Sequence, residues 1–155
     1  MKNKSMDGIL AVLAQTKYLV SIATFFLIIY TRSTHFLYFV VGFAWTATLA
    51  KSLKKCIKQP RPSGPGYGMP SAHSQIIMFV ATYFQCAAYK TTPWLVAGVS
   101  LFSLSVVWSR VRLQHHTVSQ VLVGALVGIL SALLWYFARS SFVFPSIPTF
   151  TPYST

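Results

Sequence analysis

Residues 117–137 read TVSQVLVGALVGILSALLWYF, an unbroken run without a single charge. Its length matches the about 20 apolar residues that an α-helix needs to cross the hydrocarbon core of a bilayer. Four further stretches approach the same specification. Residues 8–30 are interrupted only by Lys17, and residues 36–50 continue helically through a lysine cluster to Ile57. Residues 74–89 stop at Lys90-Thr91-Thr92-Pro93, and residues 94–108 are extended by 109–113. Backbone polar groups in lipid must be satisfied within each segment, and strand alternation is absent. The sequence therefore predicts an all-α, polytopic membrane helix bundle of about five transmembrane helices, with four to six as the range. Gly124 and Gly128 form a Gly-x-x-x-Gly face in the last helix, expected to serve close packing against a neighbour.

The composition agrees with that class. Of the residues, 54% are hydrophobic and 9% charged, unlike a soluble domain. One domain is expected over 1–137, with 138–155, rich in Ser, Thr and Pro, as a poorly ordered tail. No small-residue cleavage site stands out before Lys17, so a retained first helix is expected rather than a cleaved signal. Thirteen Lys and Arg face one carboxylate, Asp7. Paired carboxylates for glycoside hydrolysis, a carboxylate cage for Mg²⁺ and a Ser/His/Asp triad are all excluded. Any catalysis must run on His, Lys, Arg and hydroxyls. Cys56 and Cys86 lack metal or disulfide spacing and read as small buried hydrophobes. No metal, cofactor or nucleic-acid partner is expected, and the oligomeric state is not legible.

Three polar stretches interrupt the apolar pattern. Lys51, Lys54, Lys55 and Lys58 share one helix face immediately before Gln59-Pro60-Arg61-Pro62. Such a cluster suits anionic headgroups, and it equally suits a bound anion that relieves the mutual repulsion. Arg61, a planar fork between two prolines, is the stronger phosphate ligand. After the Gly/Pro-rich loop 63–68 comes Pro70-Ser71-Ala72-His73. Ser71 stands at a helix start, where an N-cap is the common use and a phosphate held by free amides the rarer one. Ser109-Arg110 then precedes His116, and Gln120 lies one turn beyond. An amide oxygen there accepts the proton of one imidazole nitrogen and aims the other outward as a nucleophile. His115 and His35 read as structural or interfacial. Five spans put 54–73 and 110–116 on the same side of the membrane, so one shared site is possible.

Lys-x6-Arg-Pro, Pro-Ser-x-His and Ser-Arg-x5-His, in this order, resemble the type 2 phosphatidic acid phosphatase (PAP2) superfamily. Gln59 to Pro62, Gly68 to Gln75, Ser109 to Val111 and His116 to Val121 are similar in finer detail to its dolichyldiphosphatase branch. The resemblance runs from about Phe36 to Phe137. It implies that His116 is the nucleophile forming a phosphohistidine and His73 the general acid. It implies further that Lys54, Arg61, Ser71, Ala72 and Arg110 hold the phosphoryl oxygens. Two positions depart from the superfamily's general pattern. Gln120 replaces an Asp that orients the nucleophile, as expected of this branch, and Ala72 replaces a common Gly while keeping its backbone amide. A neutral amide supports the imidazolium less than a carboxylate, which favours the better leaving group of a diphosphate.

The implied reaction is metal-free hydrolysis of dolichyl diphosphate to dolichyl phosphate and phosphate, recycling the lipid carrier of protein N-glycosylation. The lipid bilayer and this polyprenyl substrate are the expected partners. Alternatives are a broad lipid phosphate or undecaprenyl diphosphate phosphatase of the same superfamily, or a non-catalytic protein binding anionic lipid. Orientation divides the signals. With Lys54, Arg61 and Arg110 set aside, most remaining cations lie on the site side, which by the positive-inside rule is cytosolic. The resemblance implies a multi-pass protein of the endoplasmic reticulum membrane with a lumenal site. It carries more weight, because a diphosphate site gathers cations for its own purpose.

Overall fold

The structure is a computed structural model and describes residues 34–139. The apolar segment 8–30 lies outside the described residues, as does the tail from 140 onward. Four helices form the described chain: α1 (Thr34–Ile57), α2 (Ala72–Ala88), α3 (Pro93–Arg112) and α4 (Val118–Ala138). No β-strand occurs among the described residues, and only an isolated bridge pairs Pro60 with Tyr67. The four match the second to fifth predicted segments.

Each helix boundary has a local cause. α1 carries its lysines into its last turns, where cations meet the negative end of the helix dipole. Ser71 caps α2, Pro93 occupies the first turn of α3, and Thr117 caps α4 through a capping box with Gln120. Of these helices, α3 and α4 are long and apolar enough to cross a membrane. Along α4, Leu122, Leu126, Leu130 and Leu134 are each at least half exposed and fall on one ridge. A stripe of that size is unfavourable in water and suits lipid. α2 is shorter and contributes its apolar face to the interior.

The most extensive packing joins α2 to α4. A Cβ on Gly124 would lie 2.5 Å from the Ser71 carbonyl oxygen, and one on Gly128 would strike the carbonyl of Gln75. The Gly-x-x-x-Gly face is thus the contact that lets α4 touch the backbone of α2. At the far end, Phe39, Phe79, Val80, Tyr83 and Ala132 form the apolar core. Beside it Tyr38 and Trp135 stack at 4.9 Å and each donates to the other's carbonyl, at 3.1 and 3.0 Å. Close packing at one end and an aromatic cluster at the other fix how the loops of the first end meet.

Candidate active site

The turn between α3 and α4 places His116. Leu113 donates to the Ser109 carbonyl at 3.0 Å, and Gln114 takes a left-handed φ of 56°. The amides of His115 and His116 then both return to the Arg110 carbonyl, at 3.2 and 3.3 Å. His115 is left exposed, whereas His116 is buried. The apolar segment that begins at Thr117 places His116 at a helix start. His116 stands instead one residue ahead of the Thr117 cap, because Thr117 supplies the oxygen that the first amides need.

Gln120 still reaches the imidazole. As the third residue of α4 it folds back in the capping box, and its Oε1 lies 3.1 Å from His116 Nδ1 and 3.4 Å from the Thr117 amide. Its Nε2 donates to the Pro60 carbonyl at 2.9 Å. These neighbours fix the orientation of the amide, since a flip would face oxygen with oxygen. Nδ1 must therefore carry the proton, which leaves the lone pair on Nε2.

Three cations act electrostatically on this imidazole. Burial is the main cause that pulls the His116 pKa down to about 4. The Gln120 bond opposes it, and the charges of Lys54, Arg61 and Arg110 add to it. All three predicted cations thus act on the predicted nucleophile. Arg110 is only 4% exposed, and its Nε and Nη2 have no acceptor among the described residues. No carboxylate occurs among the described residues, so no ion pair competes for these charges. Arg61 is exposed in its loop, where its Nε donates to the Tyr67 carbonyl at 3.2 Å. Lys54 is half-buried near the end of α1.

The start of α2 completes the arrangement. The Ser71 amide donates to the Gln120 carbonyl at 2.9 Å, which joins the first turns of α2 and α4. Ser71 is buried, and its hydroxyl oxygen accepts from the Ser74 amide and hydroxyl. The common reading, an N-cap, is the one the geometry gives for this side chain. Ala72 and His73 open the first turn of α2. His73 is half-buried at the same end of the bundle as His116.

Several contributors were not singled out from the sequence. Thr117 was signalled by its own Thr-x-x-Gln spacing, which reads as a capping box. The Pro60 carbonyl and the bond from Ser63 Oγ to the Gln114 carbonyl, at 2.6 Å, had no sequence signal, because both depend on backbone meeting across distant segments.

The profile of the PAP2 superfamily matches residues 35–142. Human dolichyldiphosphatase 1 is 31% identical over 161 residues, covering 90% of this chain and 68% of the relative. Lipid phosphate phosphatase epsilon 2 of Arabidopsis thaliana, a chloroplastic protein, is 36% identical over 121 residues, covering 69% of this chain and 41% of the relative. Among solved structures, the PAP2-type phosphatidylglycerolphosphate phosphatase of Bacillus subtilis superposes with a TM-score of 0.70 at 25% identity. That match covers 92% of this chain and 79% of the other. The chain belongs to the PAP2 superfamily and is a membrane phosphatase.

Proposed function

We propose that the protein hydrolyses dolichyl diphosphate to dolichyl phosphate and inorganic phosphate, without a metal, from the endoplasmic reticulum membrane. One observation carries the catalytic part: a buried His116, with Nδ1 held by Gln120, lies in the field of Lys54, Arg61 and Arg110. The substrate class rests on the likeness to dolichyldiphosphatase 1 over 90% of the chain and on the residues shared with that branch.

In this reading His116 Nε2 donates its lone pair to the terminal phosphorus, forming a P–N bond. The bond from phosphorus to the bridging oxygen breaks in line, its electron pair stays on that oxygen, and His73 delivers a proton to it. Water then attacks the phosphohistidine, losing its proton to His73, and the P–N electrons return to Nε2. Arg110, Arg61, Lys54, the Ser71 hydroxyl hydrogen and the Ala72 amide hold the equatorial oxygens. They supply the charge that Mg²⁺ supplies in other phosphoryl transfer sites. Recycling of a glycosylation carrier from a lumenal site follows as the physiological role.

The test measures phosphate release from dolichyl diphosphate and from dioleoyl phosphatidate, in detergent with EDTA, for wild type and His116→Ala. Release from the diphosphate alone, lost in the variant, supports the reading. Equal release from phosphatidate would move the protein to the broad lipid phosphate phosphatases. No release from either by folded wild type would leave an anionic-lipid-binding protein.

A further inference from the structure

Orienting His116 uses only one end of the Gln120 side chain. The other end, Nε2, donates to the Pro60 carbonyl at 2.9 Å, across a separation of 60 residues. Pro60 immediately precedes Arg61 and is bridged to Tyr67, whose carbonyl receives Arg61 Nε at 3.2 Å. Arg61 has proline on both sides, so little backbone freedom separates the pinned carbonyl from the guanidinium stem. Gly68 closes the same loop by donating its amide to the Gln59 carbonyl at 2.7 Å. It is packed directly on Gln120, and a Cβ there would lie 2.5 Å from Oε1 and 2.6 Å from Nε2.

From this geometry we infer that Gln120 is a two-armed positioning residue: Oε1 sets the His116 ring, and Nε2 sets the loop that presents Arg61. The nucleophile and the arginine fork are indexed to one amide group. A carboxylate holds the histidine arm equally well, but it has no donor and turns a lone pair toward the Pro60 carbonyl. An amide at this position therefore performs a second task that an acid cannot. The inference rests on the reading of His116 as nucleophile and Arg61 as phosphate ligand.

Gln120→Met removes both arms without adding charge, and Arg61→Lys removes the fork while keeping its charge. The readouts are kcat on dolichyl diphosphate and the affinity for inorganic phosphate by isothermal titration calorimetry, which needs no turnover. Gln120→Met is expected to lower kcat and to weaken phosphate binding roughly five- to tenfold, the scale of one lost buried hydrogen bond. In the Arg61→Lys background the loss of kcat persists, and the further loss of affinity shrinks below about twofold. Equal weakening in both backgrounds, or unchanged affinity in Gln120→Met, overturns the second arm. If Gln120→Met does not fold, Gly68→Ala displaces the intact amide from the loop side and is held to the same two criteria. A wild type that binds phosphate but releases none from dolichyl diphosphate sinks the substrate reading, and the calorimetric comparison still decides the positioning role.

Discussion

Ser63 donates its hydroxyl to the carbonyl of Gln114 at 2.6 Å, tying the loop after α1 to the turn that carries His116. The bond is exposed and joins residues 51 positions apart. The accepting carbonyl belongs to Gln114, whose left-handed φ of 56° begins the descent of the turn to His116. Ser63→Ala is expected to lower kcat/KM about three- to tenfold while shifting global stability by less than about 1 kcal/mol. Hydrogen exchange across 60–68 and 113–116 checks it, since both segments should lose protection together.

The His116 pKa of about 4 sets a sign for acid sensitivity. Above the ordinary histidine value of 6.5 the ring is neutral in both the folded and unfolded chain, and its contribution is fully present. As pH falls from 6.5 toward 4 only the unfolded chain takes up the proton, so stability is lost, on the order of 3 kcal/mol in full. Thermal unfolding of wild type and His116→Ala between pH 7 and pH 4 tests this. The variant should show the shallower loss, and parallel curves would rule out a depressed pKa.

Arg110 is a buried charge whose Nε and Nη2 find no acceptor among the described residues. Such a group destabilises the unliganded fold and is stabilised by an anion. Arg110→Leu is expected to raise the unfolding free energy by about 1 kcal/mol and to reduce phosphatase activity at least about a hundredfold. Added phosphate should raise the melting temperature of the wild type and leave that of the variant unmoved.

Gly128 has the Gln75 backbone where a Cβ would go, and backbone cannot swing aside as a side chain can. Gly128→Ala is expected to cost about 2–3 kcal/mol by forcing α2 and α4 apart. Gly98 on α3 has none of the described residues within 4 Å of a Cβ, so Gly98→Ala should be neutral or slightly stabilising. Denaturation of the pair in one detergent separates close packing from general glycine effects.

The bundle was legible because a bilayer imposes one dominant rule, that apolar segments become helices, and 117–137 obeys it without exception. The phosphatase class was legible because Lys54 to Pro62, Pro70 to His73 and Ser109 to His116 all fall within the stretch that the PAP2 profile matches. What the sequence placed less well follows from the local competition for helix amides. The Ser71 oxygen caps α2, and Thr117 takes the capping position that moves His116 outside α4. The reach of Gln120 to Pro60 was invisible, because a side chain with two ends gives no sign in one dimension of what its second end will meet.

His116 stands at the tip of a helix whose flank is the Leu122, Leu126, Leu130 and Leu134 ridge. On the proposed reading, a catalytic turn mounted on this lipid-facing rod meets a polyprenyl diphosphate at headgroup depth, where the substrate carries its charge. Encounter is then lateral diffusion in two dimensions. Velocity at fixed bulk concentration should fall as inert detergent or lipid dilutes the substrate's surface mole fraction, the surface-dilution kinetics of an interfacial enzyme.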